Sequence, residues 1–138
     1  MTPTRIIVIG ASSVQGRIDP ESGGWTGRLR KWHESNTRHN AVYNLGIGGN
    51  TTEDLLGRLK SECKARLPDL IIFSLGLNDA RRIGSPKAPN DVSPEKFQAN
   101  IKKLIKISKK ITDVVFVGVY PINDKKPPQF PGKICITF

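Results

Sequence analysis

The stretch IIVIGASSVQG, residues 6–16, decides the fold class, because an uninterrupted apolar run ends there in a turn of small residues. Four apolar residues precede Gly10, as expected for a strand that is buried on both faces. The turn places Ser12 and Ser13 between Gly10 and Gly16. Three kinds of site use such a turn: a phosphate-binding loop, a dinucleotide-binding loop, or the seat of a catalytic serine.

Outward from this stretch, strands and helices alternate. The apolar runs predict strands at 5–9, 41–45, 70–76 and 114–120. Helical periodicity predicts helices at 23–34, 51–67 and 93–111, the second capped by Thr51 or Thr52 and the third by Ser93. Apolar strands that alternate with helices favour a parallel sheet covered on both faces. The predicted fold is a doubly wound α/β sheet of four strands, formed by a single domain over residues 1–138.

Composition sets bounds on the class of protein. The chain has 138 residues, of which 37% are hydrophobic and 25% charged, values that are ordinary for a soluble globular domain. No apolar run approaches the roughly 18 residues of a membrane span, and the N-terminus lacks a signal-peptide pattern, so a cytoplasmic location is expected. Cys63 and Cys135 predict neither a disulfide framework nor a metal site.

The formal net charge of +10 raises the possibility of a nucleic-acid partner. Much of this charge lies in the third helix, off an apolar stripe formed by Phe97, Ile101, Leu104, Ile105 and Ile111. The lysines concerned are Lys96, Lys102, Lys103, Lys106, Lys109 and Lys110. Phe97 belongs to the apolar stripe, and no aromatic residue lies among the lysines on their own face, where a single-strand binding groove would need one. The pattern indicates a solvated helix face, and no specific nucleic acid is expected as a partner.

In doubly wound sheets, ligands bind beyond the carboxyl ends of the strands, which selects the loops after Ile9, Leu45 and Leu75. The first loop is not a P-loop, because five residues separate Gly10 from Gly16 and Arg17 follows. It also resembles the opening of a short-chain dehydrogenase, but Val14 occupies the position of the middle glycine. A β-branched side chain there obstructs the approach to a pyrophosphate. A nucleotide-binding domain of that type is the weaker alternative, and no cofactor is expected.

The other two loops carry groups that suit ester hydrolysis, namely glycines in NLGIGGNTT, residues 44–52, and an amide in SLGLND, residues 74–79. Such a reaction needs an activated hydroxyl and hydrogen-bond donors aimed at the developing oxyanion. A serine of the first loop offers the hydroxyl. A glycine N–H of the second loop and the side chain of Asn78 offer donors that carry no charge.

These three blocks resemble those of the SGNH hydrolases, also called GDSL esterases and lipases. Ser12 in GASSVQG corresponds to the serine of the first block, Gly49 in GGNTT to the glycine of the second, and Asn78 in GLND to the asparagine of the third. The resemblance implies a flavodoxin-like α/β fold and hydrolysis of carboxylic esters. It implies Ser12 as the nucleophile, with an oxyanion hole formed by the main-chain N–H groups of Ser12 and Gly49 and by the Asn78 amide.

The sequence departs from the family pattern in two places. Ala11 stands where the first block has an aspartate, a position beside the nucleophile. The family's last block, Asp-x-x-His, has no counterpart, because the chain ends in NDKKPPQFPGKICITF, which contains no histidine. The domain is therefore expected to be incomplete at its C-terminus, without a fifth strand, leaving the strand at 114–120 as an exposed edge through which the chain could self-associate.

The two histidines of the chain do not fill this gap. His33 is about eight residues into the first helix, roughly 12 Å from the site, and His39 precedes the second strand at the opposite end of the sheet. Both are expected at the surface. A catalytically silent ligand-binding domain is consequently an alternative to an impaired esterase. Trp25 and Trp32 are expected in the core or in a pocket wall, and Asp79 is expected to support the loop of Asn78.

Overall fold

A computed structural model describes residues 3–85, 87–118 and 136–137 of the chain. The strands are β1 (Arg5–Gly10), β2 (Ala41–Gly46), β3 (Leu70–Ser74), β4 (Arg82–Ile83), β5 (Asp113–Val117) and β6 (Ile136–Thr137). The helices are α1 (Ser12–Gln15), α2 (Gly24–Asn36), α3 (Thr52–Arg66), α4 (Leu77–Ala80) and α5 (Pro94–Ser108).

Four strands form one parallel sheet in the order β2-β1-β3-β5, and β4 pairs with β6 in a separate antiparallel ribbon. The register sets Gly10 beside Gly46 on one side and beside Ser74 on the other. The carboxyl ends of the three strands β2, β1 and β3 therefore meet at one edge. The predicted doubly wound α/β fold and its four parallel strands are confirmed.

Each face of the sheet has its own apolar core. On one face Ile7, Ile9, Ile71 and Phe73 pack with leucines of α3 and α5. On the other face Ile6, Val8 and Ile72 pack against α2. The strands alternate between these two cores, and this explains why their sequences are apolar at nearly every position.

Toward β5 the sheet is more open. Val115, Phe116 and Val117 are 45%, 40% and 39% exposed, although Phe116 stacks on Phe73 with ring centroids 4.9 Å apart. No strand pairs with the outer edge of β5 among the residues described. Within the described residues β5 is thus the outer strand of the sheet, and residues 119 and 120 of the predicted strand lie outside the described ranges.

The helix ends follow from local chemistry. The Ser93 hydroxyl accepts a hydrogen bond from the Lys96 N–H at 3.3 Å, with Pro94 in the first turn, as predicted for the start of α5. At α3 the Thr51 N–H donates to the Asp54 carboxylate at 2.8 Å, which completes a capping box. Sequence patterns do not predict the short elements α4, β4 and β6, since two to four residues give no periodicity.

Two predictions about side chains on α2 are wrong. Trp32 is 65% exposed and lies outside both apolar cores, whereas Trp25 packs against the core as expected. His33 is 3% exposed and not at the surface; its Nε2 atom lies 3.3 Å from the Thr4 carbonyl oxygen. The helix is rotated so that His33, rather than Trp32, faces the sheet.

The cysteine and lysine predictions have different outcomes. Cys63 is a buried free thiol, and Cys135 lies outside the described residues. All six lysines singled out on or next to α5 are exposed, as expected of a solvated face. Within the ranges described, the helices are all too short or too polar to cross a membrane.

Candidate active site

Ser12 lies where β1 gives way to the single turn of α1. The preceding strand packs so closely on β3 that a Cβ atom at Gly10 would lie 2.0 Å from the carbonyl oxygen of Ser74. At the other end of α1, Gly16 adopts φ = 75°, a left-handed conformation that glycine accommodates without strain. This glycine pair fixes where Ser12 stands at the carboxyl edge of the sheet.

The Ser12 hydroxyl is half-buried and has no hydrogen-bond partner in the part of the chain that the structure describes. Its main-chain N–H likewise has no acceptor there. The turn of α1 is closed instead by the N–H groups of Val14 and Gln15, which both donate to the Ala11 carbonyl. A free hydroxyl beside a free N–H is an arrangement that can present a nucleophile and an oxyanion donor to one ligand.

Gly49 lies in the loop between β2 and α3. This loop is tied to the first by a hydrogen bond from the Ile47 N–H to the Gly10 carbonyl at 3.1 Å. Gly49 has φ = 86°, and its N–H has no acceptor among the residues described. The next residue, Asn50, bonds back to the Ile47 carbonyl through its own N–H at 3.2 Å.

Asn78 lies in α4, directly after the turn at Gly76. Its side-chain Nδ2 donates to the Asn50 carbonyl at 2.9 Å, which joins the third loop to the second. A primary amide carries two N–H groups, so this bond leaves one free. Asn78 also lines a small cavity together with Ser12, Ser74 and Gly118.

A buried polar chain holds the Asn78 loop from behind. The Asp79 carboxylate accepts hydrogen bonds from the Thr52 N–H at 3.0 Å and from the Thr52 hydroxyl at 2.6 Å. The Asn100 amide donates in turn to the Thr52 hydroxyl at 2.9 Å. Asp79 is 2% exposed, and its second carboxylate oxygen has no partner within the described structure. The expected role of Asp79 as a support of this loop is confirmed.

A further support, Arg58 in α3, is not evident from the sequence. Its guanidinium donates to the carbonyls of Gly10 at 3.2 Å and Leu45 at 2.8 Å, and to the Asn50 side chain at 3.0 Å. Burial lowers the pKa of Arg58 from its ordinary value, although the nearby Glu62 opposes that shift. The sequence gives only a weak indication of this buried role. Arg58 precedes Glu62 by four residues on a helix, a spacing that is typical of surface ion pairs. Asn100 offers a better signal, since it interrupts the apolar stripe of α5.

A larger cavity of about 420 Å³ opens beside Ser12. The indole of Trp25, with Leu77 and Ile18, forms its apolar walls, and Arg17 with Asp19 its polar rim. Hydrogen bonding to Arg28 lowers the pKa of Asp19, which keeps that carboxylate ionised. A pocket with apolar walls next to a free hydroxyl suits a neutral organic substrate.

The two histidines lie away from this site. His33 contacts the Thr4 carbonyl, which precedes β1, and His39 is exposed ahead of β2. Both positions are at the amino edge of the sheet, as expected for His39, and His33 lies away from the site, as its place in the first helix predicts. Ser12 therefore has no histidine partner within this chain.

The structure brings Ser12 and Asn78 to one cavity and places Gly49 next to the residue that bonds Asn78. Their roles as nucleophile and oxyanion donors remain predictions. Chemically, the arrangement offers the hydroxyl of Ser12, with those of Ser13 and Ser74 lining the same cavity, and three N–H groups that have no acceptor among the described residues.

A model of the GDSL-like Lipase/Acylhydrolase family matches residues 8–134 of the chain. A curated relative, the uncharacterized lipoprotein YqeF of Bacillus subtilis strain 168, is 29% identical over 112 residues, which are 76% of this chain and 43% of that protein.

Solved structures share the fold. A catalytic mutant of Axe2, an acetylxylan esterase from Geobacillus stearothermophilus, matches with a TM-score of 0.62 and 22% identity, over 82% of this chain and 58% of that one. AlinE4, an SGNH-hydrolase family esterase, matches with a TM-score of 0.65 and 20% identity, over 84% of this chain and 59% of that one. The chain thus spans less than two thirds of each of these proteins.

Proposed function

The chain belongs to the GDSL-like lipase/acylhydrolase family, and we propose that it carries the nucleophile and the oxyanion hole of a hydrolase of carboxylic esters. The observation that carries this proposal is the cavity shared by Ser12 and Asn78, with the Ser12 hydroxyl unpaired among the described residues. An unpaired hydroxyl at the carboxyl edge of a doubly wound sheet is positioned for a ligand and serves no visible structural purpose.

In the proposed reaction, the Ser12 Oγ attacks the carbonyl carbon of the ester. The carbonyl oxygen then becomes an oxyanion, which the N–H groups of Ser12 and Gly49 and the free N–H of Asn78 stabilise. On attack the Ser12 hydroxyl gives up its proton to a base, which in an intact relative is the histidine of the Asp-x-x-His block. The ester C–O bond then breaks, and the alkoxide takes that proton and leaves as the alcohol. Water hydrolyses the acyl-serine, which releases the acid and restores the Ser12 hydroxyl. No metal or cofactor takes part in this scheme.

The substrate's carbon skeleton would occupy the cavity of about 420 Å³ beside Ser12. Trp25 and Leu77 form apolar walls there, which favours an uncharged acyl or alkyl group over a highly charged one. The acetylxylan esterase among the similar structures is consistent with a small acyl group.

A second candidate function is ligand binding without turnover. It is supported by one specific observation: both histidines of the chain lie at the amino edge, so neither accepts the proton of Ser12. A serine hydroxyl without a base is a poor nucleophile. Oxyanion donors and binding alone leave about 10³–10⁴-fold catalysis over water.

Hydrolysis of a short-chain aryl ester tests the proposal. The chain alone is expected to be slow, and its fusion to a C-terminal strand and Asp-x-x-His segment of a related hydrolase is expected to be faster by orders of magnitude. In the fusion, Ser12→Ala removes that gain, and Asn78→Ala costs about 10²–10³ in rate, the usual value of one oxyanion donor.

Ser13→Ala is the matched control, because Ser13 is the neighbouring serine on the same turn and has no proposed role. If Ser13→Ala is as inactive as Ser12→Ala, the nucleophile assignment is wrong. A folded fusion that stays inert supports the binding function instead.

We also propose that the chain self-associates and that it binds nucleic acid only weakly. Exposed Val115 and Val117 on the edge strand β5 support self-association, which sedimentation at increasing protein concentration tests. The dispersed lysines of α5 support only weak, non-specific binding to nucleic acid. We expect such binding to disappear at moderate salt, and submicromolar affinity at about 200 mM salt would contradict this.

A further inference from the structure

Another cavity, of about 500 Å³, lies between the C-terminal halves of α3 and α5. Four lysines surround it, two from each side: Lys60, Lys64, Lys106 and Lys110. It is separate from the site at Ser12. Cys63, in its floor, follows Thr52 by eleven residues, or about 16 Å along the helix at 1.5 Å per residue. Thr52 contacts Asp79 at the carboxyl edge, so the groove lies toward the opposite edge of the sheet.

The described part of the chain provides no compensating charge at this rim. Among the residues the structure describes, no carboxylate lies within 4.0 Å of any of the four lysine ammonium groups. Glu62, on the same helix, is already paired with Arg58 and Arg66. Four cations around one concavity repel one another, and an anion placed among them lowers that repulsion.

The floor of the groove is apolar. Cys63 is 3% exposed, and burial raises the pKa of its thiol to about 11, so it is neutral at pH 7. Ile107 packs on the core beside it. Leu67 and Ile111, at the ends of the two helices, are 61% and 44% exposed. These two side chains lie against water unless a ligand covers them.

We propose that this groove binds a single-chain anionic amphiphile, a long-chain carboxylate whose head lies among the lysines and whose chain covers Leu67 and Ile111. Charge complementarity selects the anionic head, and the exposed apolar floor selects the chain. The volume is within the range of 300–1,000 Å³ that ligand pockets typically show. A small inorganic anion leaves the floor uncovered, and a flat bilayer does not fill a concavity.

Isothermal titration of the whole chain with dodecanoate, below its critical micelle concentration, tests the proposal. We expect one site per chain. Lys64→Glu with Lys106→Glu weakens binding by about tenfold or more, because both reverse a rim charge. The control, Lys102→Glu with Lys109→Glu, has the same change in net charge at an exposed position of α5 and at its exposed C-cap, neither of which lines the groove. It weakens binding by less than about threefold, since screening limits distant charges.

The floor is tested with a matched pair of exposed isoleucines. Ile111→Asn weakens dodecanoate binding, whereas Ile18→Asn, in the cavity beside Ser12, leaves it unchanged. The reverse result places the ligand at the ester site and overturns the proposal. Circular dichroism establishes that each variant is folded, and a variant that is not folded is replaced by its lysine-to-glutamine or isoleucine-to-serine counterpart.

Further outcomes distinguish other ligands. Equal losses in the two lysine pairs indicate diffuse charge rather than a site, and equal affinity for dodecyltrimethylammonium shows that the anionic head plays no part. Binding to phosphatidylserine vesicles without binding of monomeric dodecanoate indicates a membrane surface. Each of these results, like an absence of binding, overturns the proposal.

Discussion

The two edges of the parallel sheet are built in different ways. At the carboxyl edge, main chains are in direct contact and buried side chains tie the loops together: Gly10 touches Ser74, and Asp79 holds Thr52. At the amino edge, a partly exposed carboxylate, Asp69, joins the starts of β1 and β3, and α3 ends in Leu67, a residue with positive φ. We infer that substitutions at the carboxyl edge destabilise the chain more than substitutions at the amino edge. A site that holds three loops in fixed positions requires such close packing.

The largest expected effect is that of a single methyl group at the carboxyl edge. Gly10→Ala places Cβ 2.0 Å from the Ser74 carbonyl oxygen and 2.7 Å from the Val14 side chain, so two backbones must separate. We expect a loss of about 3 kcal/mol or more in the free energy of unfolding, or no folded protein. Urea denaturation measures it.

The same substitution elsewhere is the control. A Cβ atom at Gly57, in the middle of α3, would meet no neighbouring atom within 4 Å, so Gly57→Ala is expected to stabilise the chain by up to about 1 kcal/mol. If both variants are equally stable, the close packing of β1 on β3 is not what fixes the position of Ser12.

Next in size is the loss of the buried carboxylate. Asp79→Ala leaves the Thr52 N–H and hydroxyl without their acceptor, which we expect to cost about 2–4 kcal/mol. Asp91→Ala is the control, since Asp91 is an exposed partner of Arg81 and such pairs contribute about 0–1 kcal/mol. Equal losses would show that the Asp79 network is no more important than a surface ion pair.

The contrast between the edges also explains what can be predicted from the sequence. The strands and the three long helices follow from hydrophobic periodicity, and the loops of Ser12, Gly49 and Asn78 follow from the rule that places sites at carboxyl ends. Periodicity does not resolve the rotation of a helix by one residue. For that reason it predicts Trp32 inside and His33 outside, whereas the structure has them the other way round.

The supports of the site are harder to predict. Arg58 follows Leu55 on a helix whose remaining surface is charged, and nothing in its spacing says that its guanidinium reaches the carbonyls of β1 and β2. Asn100 is detectable as a polar residue within an apolar stripe. Its partner Thr52, 48 residues earlier in the chain, is not, because local patterns carry no information on contacts distant in sequence.

At the amino edge, the third prediction concerns acid. Hydrogen bonds from the Thr4 hydroxyl and the Arg5 N–H lower the pKa of Asp69 to about 2. Because the folded pKa lies below the ordinary value of about 3.9, Asp69 contributes stability at neutral pH that is lost as the pH falls from about 5 toward 2. The Asp69→Asn variant is expected to have a lower melting temperature than the unmodified chain at pH 6. Its melting temperature is expected to fall less than that of the unmodified chain when the pH is lowered.

Melting temperatures at pH 6 and pH 3 measure this difference. The control is Asp113→Asn, at the exposed start of β5, which is expected to follow the acid dependence of the unmodified chain. If the Asp69→Asn variant keeps the acid dependence of the unmodified chain, another carboxylate is responsible for the loss of stability in acid.

The smallest expected effect comes from introducing a glycine at the amino edge, the opposite of the Gly10→Ala substitution at the carboxyl edge. Leu67 ends α3 with φ = 49° and ψ = 61°, a left-handed conformation in which a side chain costs about 1 kcal/mol, and its N–H bonds to the Cys63 carbonyl at 2.8 Å. The side chain is 61% exposed, so little apolar burial is lost when it is removed. Leu67→Gly is therefore expected to stabilise the chain by about 0.5 kcal/mol, after the greater flexibility of glycine in the unfolded state is subtracted.

Leu67→Ala separates the effect of backbone strain from that of side-chain contacts, because alanine removes the exposed side chain but keeps the strained Cβ. Urea denaturation should order the free energies of unfolding as glycine above leucine and leucine slightly above alanine. If the glycine and alanine variants are equally unstable and both clearly less stable than the unmodified chain, contacts of the Leu67 side chain and not backbone conformation fix this end of the helix, and the amino edge then resembles the carboxyl edge.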